Sequence, residues 1–226
     1  MKIMDKLMMP EERLRDLGPI TMAVFGDSVT HGWLAPDEID YETVYWNLLR
    51  QKLNRVRPIV PINVINAGIG GITADESLNR MEKQVFSHQP DLLIVCFGLN
   101  DVNGTLEEYE YALRQIFERS KELEIDVIFL TPNMMNTYVS EDTAEELLEY
   151  AQKTATMQSG GRMDLFMDAA RRIASEMNIP ICDCYALWKE MNQSRDINLL
   201  LANRVNHPTR EMHELFAEKL YELITQ

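Results

Sequence analysis

Val24-Phe25-Gly26-Asp27-Ser28-Val29-Thr30-His31-Gly32 is the stretch on which the fold turns. The run Ile20 to Phe25 has the composition of a β-strand and stops abruptly at Gly-Asp-Ser, and an apolar, helix-capable segment follows from about Thr43. In an open α/β sheet, ligand sites gather where the C-terminal end of a strand gives way to the next loop and helix. Gly26 permits a tight turn there, and Asp27 and Ser28 carry short side chains suited to capping free amides. Taken alone, Ser28 is either a capping serine at a strand exit or a nucleophile held at the sheet edge. The rest of the chain has to decide.

Outward from this stretch, strand and helix patterns alternate. Residues 1–18 read as a helical lead-in, with Pro10-Glu11-Glu12 at a helix start. Val44, Tyr45, Leu48, Leu49 and Leu53 recur at helical spacing. Val60 to Ile65 reads as a second strand, followed by the glycine-rich turn Asn66-Ala67-Gly68-Ile69-Gly70-Gly71. Thr73 and Glu76 form a capping box for the next helix, as do Thr105 and Glu108 further on. Pro90 to Phe97 is nearly all apolar, as expected of a central parallel strand covered on both faces, and it ends at Gly98-Leu99-Asn100-Asp101. Asp126 to Leu130 is a fourth strand, Asp164 to Met177 a helix, and Ile179 to Cys182 a short fifth strand. Met212, Leu215, Phe216, Leu220 and Leu223 stripe a last helix. The pattern predicts right-handed crossovers and a three-layer α/β/α sandwich around a five-stranded parallel sheet, flavodoxin-like in plan, as one domain over residues 1–226.

One segment breaks the alternation. Thr131 to Gly161 is a long insertion after the fourth strand, holding Met134, Met135, Tyr138 and a short acidic helix from Thr143 to Ala151. Long insertions on that side of a sheet serve as lids or substrate walls, or else as surface excursions or subunit contacts. Asp27, Met134 and Tyr138 are accordingly read as substrate contacts, and a homo-oligomer stays open.

Composition narrows the partners. The chain has 226 residues, is 46% hydrophobic and carries a formal charge of -14. Such a chain repels phosphate backbones and anionic lipid surfaces, which argues against nucleic acid and membrane partners. No run approaches the ~18 apolar residues of a membrane helix, and the amino terminus shows no secretory pattern. Cys96 lies in an apolar run, and Cys182 and Cys184 form C-x-C without a second pair, so a zinc site is not expected. A reducing, cytoplasmic setting fits these thiols best. The glycine-rich turn lacks both the G-x-G-x-x-G spacing and a P-loop lysine, which weighs against a nucleotide binder.

Three strand exits therefore carry chemistry. The first offers Ser28, the second the unobstructed backbone of Gly70-Gly71, and the third the side-chain amide of Asn100. A hydroxyl beside such donors is the parts list for acyl transfer, with the donors holding the oxyanion of a tetrahedral intermediate. The base must be one of four histidines. His88 reads as solvated at a helix end, His31 shares the turn of Ser28, and His213 reads as a surface residue of the last helix. His207 precedes Pro208 in a loop that can return to the sheet edge.

Here the sequence resembles the SGNH hydrolases, also called GDSL esterases and lipases. Gly26-Asp27-Ser28 matches their first block, Asn66 to Gly71 resembles the second, Gly98-Leu99-Asn100-Asp101 matches the third, and His207-Pro208 matches the last. The resemblance implies Ser28 as nucleophile and His207 as base, with the Ser28 amide, Gly71 amide and Asn100 side chain as oxyanion hole. It implies a carboxylic ester substrate of short acyl length, such as an acetyl ester of a carbohydrate, and no metal or cofactor. A lysophospholipase- or thioesterase-like activity, or a catalytically weak binding role, are the alternatives. One position departs from the pattern. The family places an aspartate three residues before the histidine, and here Arg204 stands there. A guanidinium cannot accept the imidazole N–H, so a backbone carbonyl, Asn203 or a remote acid such as Asp196 must orient the ring.

Overall fold

The computed structural model describes residues 1–226. Its centre is a five-stranded parallel sheet of β1 (Ile20–Gly26), β4 (Ile62–Asn66), β5 (Leu92–Cys96), β6 (Asp126–Leu130) and β7 (Ile181–Cys182), in spatial order β4-β1-β5-β6-β7. Every residue of β5 is fully buried, as a parallel strand covered on both faces requires. β1 pairs with β4 through Val24 opposite Asn66, and with β5 through Gly26 opposite Cys96. A small antiparallel ribbon of β2 (Trp33–Ala35) and β3 (Glu38–Ile39) stands apart from the sheet. This ribbon lies in the stretch read as a loop, where no run is long enough to show alternation.

The helices are α1 (Lys2–Met8), α2 (Glu11–Leu17), α3 (Ser28–His31), α4 (Tyr45–Val56), α5 (Ala74–Gln84), α6 (Leu106–Glu122), α7 (Leu148–Ser159), α8 (Arg162–Glu176), α9 (Cys184–Met191) and α10 (Arg210–Thr225). α4 packs on α10, while α5, α6, α8 and α7 pack in sequence on one another. The chain runs from β1 to β4 in one direction and from β4 through β5, β6 and β7 in the other. Right-handed crossovers then put α4 on one face and α5, α6 and α8 on the opposite one. The reversal falls between β1 and β5, and the crevice beyond their C-terminal ends is the ligand position of a doubly wound sheet. Both capping boxes form: the Glu76 and Glu108 amides donate to the Thr73 and Thr105 hydroxyls at 3.2 Å each.

Two expectations need correction. The acidic stretch after Thr143 makes only a short 3₁₀ turn, Glu145–Leu147, and the α-helix begins at Leu148. That is where Ala151, Thr154, Ala155 and Gln158 can turn one face inward. His213 is not on the surface. It is 1% exposed, because position 213 falls on the face of α10 that meets α4. There its Nδ1 accepts the Tyr45 amide at 3.3 Å and its ring stacks on that of Tyr45. Burial pushes its pKa down to about 3, with His207 adding to the effect.

Candidate active site

β1 delivers Ser28 as the first residue of α3, with Asp27 as the cap. The turn is possible because position 26 is glycine: a Cβ there would lie 2.2 Å from Thr30 Oγ1 and 2.5 Å from the Cys96 carbonyl oxygen. Asp27 Oδ1 accepts the Val29 amide at 3.0 Å, fixing the start of the helix. Asp27 is wholly buried, and the cavity beyond Ser28 does not reach it. This corrects its reading as a substrate contact, since the side chain is enclosed beneath the turn with Oδ1 spent on the cap. Burial raises its pKa to about 7, opposed by the Val29 amide and assisted by the charge of Asp101.

Ser28, Gly71 and Asn100 line one cavity of about 760 Å³ together with His207. The Ser28 and Gly71 backbone N–H groups have no acceptor within the protein. Gly71 sits at φ +79°, a left-handed conformation that is costly for any residue with a Cβ. The Asn100 side-chain amide donates to the Ile72 carbonyl at 3.2 Å, which ties it to the Gly71 loop. Its neighbour Asp101 is buried and accepts the Ala74 amide at 2.8 Å, binding the third strand exit to the start of α5. Burial raises Asp101 to about pKa 7.

His207 arrives from 179 residues away and places Nε2 2.9 Å from Ser28 Oγ. A network of side-chain amides holds its loop. Asn203 Oδ1 accepts the amides of Val205, Asn206 and His207 at 3.0, 2.9 and 2.9 Å. Asn133 donates to the Asn206 carbonyl at 2.8 Å, and the Asn136 amide to the Val205 carbonyl at 2.8 Å. Burial lowers the His207 pKa to about 4.

Position 204 holds no substitute acid. Arg204 stands at φ +61° and turns its guanidinium onto the carbonyls of Asn198, Leu199 and Leu201, with Asp142 as ion partner at 2.8 Å. Asp196 caps a 3₁₀ turn by accepting the Asn198 amide at 3.0 Å, and it also accepts the Tyr138 hydroxyl. Both carboxylates are engaged elsewhere. His207 Nδ1 is buried with no close hydrogen-bond partner. The Leu34 carbonyl is the one group that acts on the ring to favour its protonated form.

The insertion meets the site through other residues than Met134 and Tyr138. Met134 is 1% exposed and packed in the core, and Tyr138 is 46% exposed with its hydroxyl on Asp196. Neither lines the cavity. Leu147, Tyr150 and Lys153 do, three residues apart from the 3₁₀ turn into the first turns of α7, a helical spacing that puts them on one side. His31, Trp33, Asn103 and Asn206 complete much of the wall. His31 and Trp33, both within a few residues of the Gly-Asp-Ser turn, were the two of these that proximity in sequence could have flagged. No three His, Cys, Asp or Glu side chains converge anywhere in the chain as a metal site would require.

Residues 24–215 match the model of the GDSL-like lipase/acylhydrolase family. The chain belongs to that family. As a GDSL-type protein it is a carboxylic ester hydrolase, as the resemblance implied. It is 28% identical over 177 residues to an acetylxylan esterase of Geobacillus stearothermophilus, covering 73% of each chain. Among solved structures it is similar to a variant of Axe2, an acetyl xylan esterase from that organism, at 25% identity and TM-score 0.69 over 91% of this chain and 94% of the other. The lipase/acylhydrolase of Enterococcus faecalis shares the fold, with 23% identity and TM-score 0.69 over 91% of this chain and 95% of the other. No helix is long and apolar enough to cross a membrane.

Proposed function

We propose that Ser28 and His207 hydrolyse acetyl esters of carbohydrates. The observation that carries this reading is the 2.9 Å contact between His207 Nε2 and Ser28 Oγ, made at a cavity also lined by Gly71 and Asn100, with the Ser28 and Gly71 amides unpaired. His207 takes the serine proton as Oγ attacks the ester carbonyl, then returns it to the leaving alcohol, and water repeats the cycle. The oxyanion forms against the Ser28 and Gly71 amides and Asn100. Supporting the pairing, catalytic mutants of Axe2 carry alanine in place of a serine in one case and of a histidine in the other.

The preference for a short acyl group on a polar alcohol rests on the wall. Its only hydrophobic members are Trp33, Ile69, Leu147 and Tyr150, against ten other residues, which suits a hydroxylated ligand better than a long acyl chain. The related acetylxylan esterase fits the same direction. His207 works without a carboxylate on Nδ1. A triad acid contributes up to ~10⁴ in kcat, so this dyad runs below the rate of a full triad. With its pKa near 4, His207 stays neutral across the neutral range and loses its base function as pH falls through about 4.

The test is a fluorophosphonate probe with Ser28→Ala as control, followed by a p-nitrophenyl ester series from acetate to long chains. Labelling of the parent protein alone, with turnover greatest on acetate, is the expected outcome. Equal labelling of the variant overturns the nucleophile, and a maximum at long chains overturns the acetyl preference.

A further inference from the structure

The chain has three tryptophans, and they divide by what their indoles meet. Trp188 is enclosed in the core. Trp46 donates its N–H to the Thr30 carbonyl at 2.9 Å. Trp33 alone lines the cavity, half-buried, and the protein offers its N–H no acceptor.

Its position is built rather than incidental. Trp33 opens the β2–β3 ribbon, opposite Ile39. The next residue, Leu34, is buried and so anchors the strand from the other side. Arg210 pins the far strand and the turn beyond it through Glu38 and Asp40, both at 2.7 Å. The His31 ring stands edge-on to the indole, with centroids 6.1 Å apart. The polar edge of the indole lies against the same glycine as the nucleophile. A methyl group placed on Gly70 would lie 3.2 Å from Trp33 Nε1 and 3.7 Å from Ser28 Cβ. The donor and the serine thus flank the same narrow space, and a glycine keeps it open.

An amphipathic ring with a free donor, beside amide and ammonium groups, is how a protein surface recognises a hydroxylated ring. Asn103, Asn206 and Lys153 line the same cavity. Lys153 forms no ion pair and makes no hydrogen bond with the protein, and its three donors are free for ligand. A partly exposed indole also leaves apolar area in water, which a bound ring face would cover.

We propose that Trp33 is the specificity-determining residue for the alcohol side of the ester, and that this alcohol is a saccharide whose hydroxyl accepts the indole N–H. The proposal rests on the ester-hydrolase reading of Ser28 and His207. It adds to that reading a residue, a donor and a substrate half. Trp33 takes no part in proton transfer. Its contribution is binding common to ground and transition states, which appears in KM and not in kcat.

The experiment compares the parent protein with Trp33→Phe and Trp33→Ala on p-nitrophenyl acetate and on an acetylated methyl xyloside. Phe keeps the ring and removes the donor. Trp33→Phe is expected to raise KM for the xyloside about tenfold, the scale of one lost hydrogen bond to a substrate hydroxyl. Its kcat on the xyloside should stay within about threefold of the parent, and its loss in kcat/KM on p-nitrophenyl acetate should be several-fold smaller than that on the xyloside. Equal losses on both substrates would make Trp33 a brace for the serine and overturn the proposal, as would no change on either. A shift of Trp33→Ala toward longer p-nitrophenyl esters with an unchanged xyloside KM would place the indole on the acyl side, with the same consequence. No turnover of the xyloside by a parent that hydrolyses p-nitrophenyl acetate would remove the saccharide. Loss of both parent activities, with no fluorophosphonate labelling, is the separate failure of the esterase reading. Should both variants misfold, the deacetylated xyloside titrated into Ser28→Ala protein must still change tryptophan fluorescence, and a flat titration overturns the proposal.

Discussion

The two halves of the candidate active site are held by different means. Ser28, Gly71 and Asn100 stand at the exits of adjacent parallel strands, where sheet hydrogen bonding fixes the backbone and glycines admit the turns. His207 stands on a loop without regular structure, and side-chain amides do for it what the sheet does for the serine. Asn203 alone accepts three successive backbone N–H groups, and Asn133 and the Asn136 backbone join the loop to the start of the insertion. The insertion read as a substrate wall is thus also a support for the His207 loop. A serine that is a by-product of the core tolerates substitution without unfolding, whereas a histidine on a polar scaffold depends on every member of that scaffold.

The largest effect should come from the proton-transfer unit itself. Ser28→Ala and His207→Ala should each lower kcat by roughly 10⁴–10⁶, and the double variant by no more than either, because the two act as one unit. Steady-state kinetics on p-nitrophenyl acetate checks this, and additive losses would separate the halves chemically. Melting temperature should be unchanged in Ser28→Ala.

Asn100→Ala should cut kcat by roughly 10²–10³ with a smaller change in KM, the cost of one oxyanion donor. Asn203→Ala provides the contrast on the other side. It leaves three amides without their acceptor, at about 1–3 kcal/mol for each one that stays buried. Thermal denaturation should show a clear drop in melting temperature along with the fall in kcat. A variant that loses kcat at an unchanged melting temperature would mean that Asn203 acts on the ring and not on the loop.

Arg204→Asp sharpens the comparison further. The position looks like a vacant triad acid in sequence, but its side chain spans the carbonyls of Asn198 to Leu201. The substitution should not raise kcat, and it should lower stability by about 1 kcal/mol through the lost bonds. Asp196→Asn should leave kcat within about twofold, since the carboxylate caps a turn and has no contact with His207. A large kcat loss there would restore a remote acid.

A pH dependence at the strand exits bears on stability and least on turnover. Asp27 and Asp101 have folded-state pKa values near 7, above the ordinary value of about 4. The folded state holds their protons more tightly, so their contribution is fully present below pH 4 and is lost as pH rises toward 7. Asp101→Asn should therefore gain melting temperature relative to the parent across that interval, measured by calorimetry at pH 4.5 and 7.5.

The parallel sheet, its strand exits and both capping boxes were legible because each rests on local signals: apolar runs, glycine turns and T-x-x-E spacing. Gly26-Asp27-Ser28 and Gly98-Leu99-Asn100-Asp101 could be placed on one sheet edge for the same reason. The His213 environment was not legible, since whether a helix position is covered depends on how α10 meets α4. Nor was the support of His207, which joins Asn133, Asn136 and Asn203 across more than sixty residues. Met134 read as a pocket residue because an apolar side chain in an insertion suits a substrate wall and a core equally well.

The guanidinium at position 204 has a consequence for how the protein meets acid. An aspartate there would titrate alongside the imidazole and would change the loop as it changed the chemistry. Arg204 keeps its charge at every pH the protein survives, and the amides of Asn203 do not titrate at all. Under the proposed mechanism, protonation of His207 near pH 4 silences the base while the bonds of Arg204 to backbone carbonyls and of Asn203 to backbone amides persist. Inhibition by brief acid exposure should be instantaneous in both directions, a silencing of the base and not a dismantling of the site.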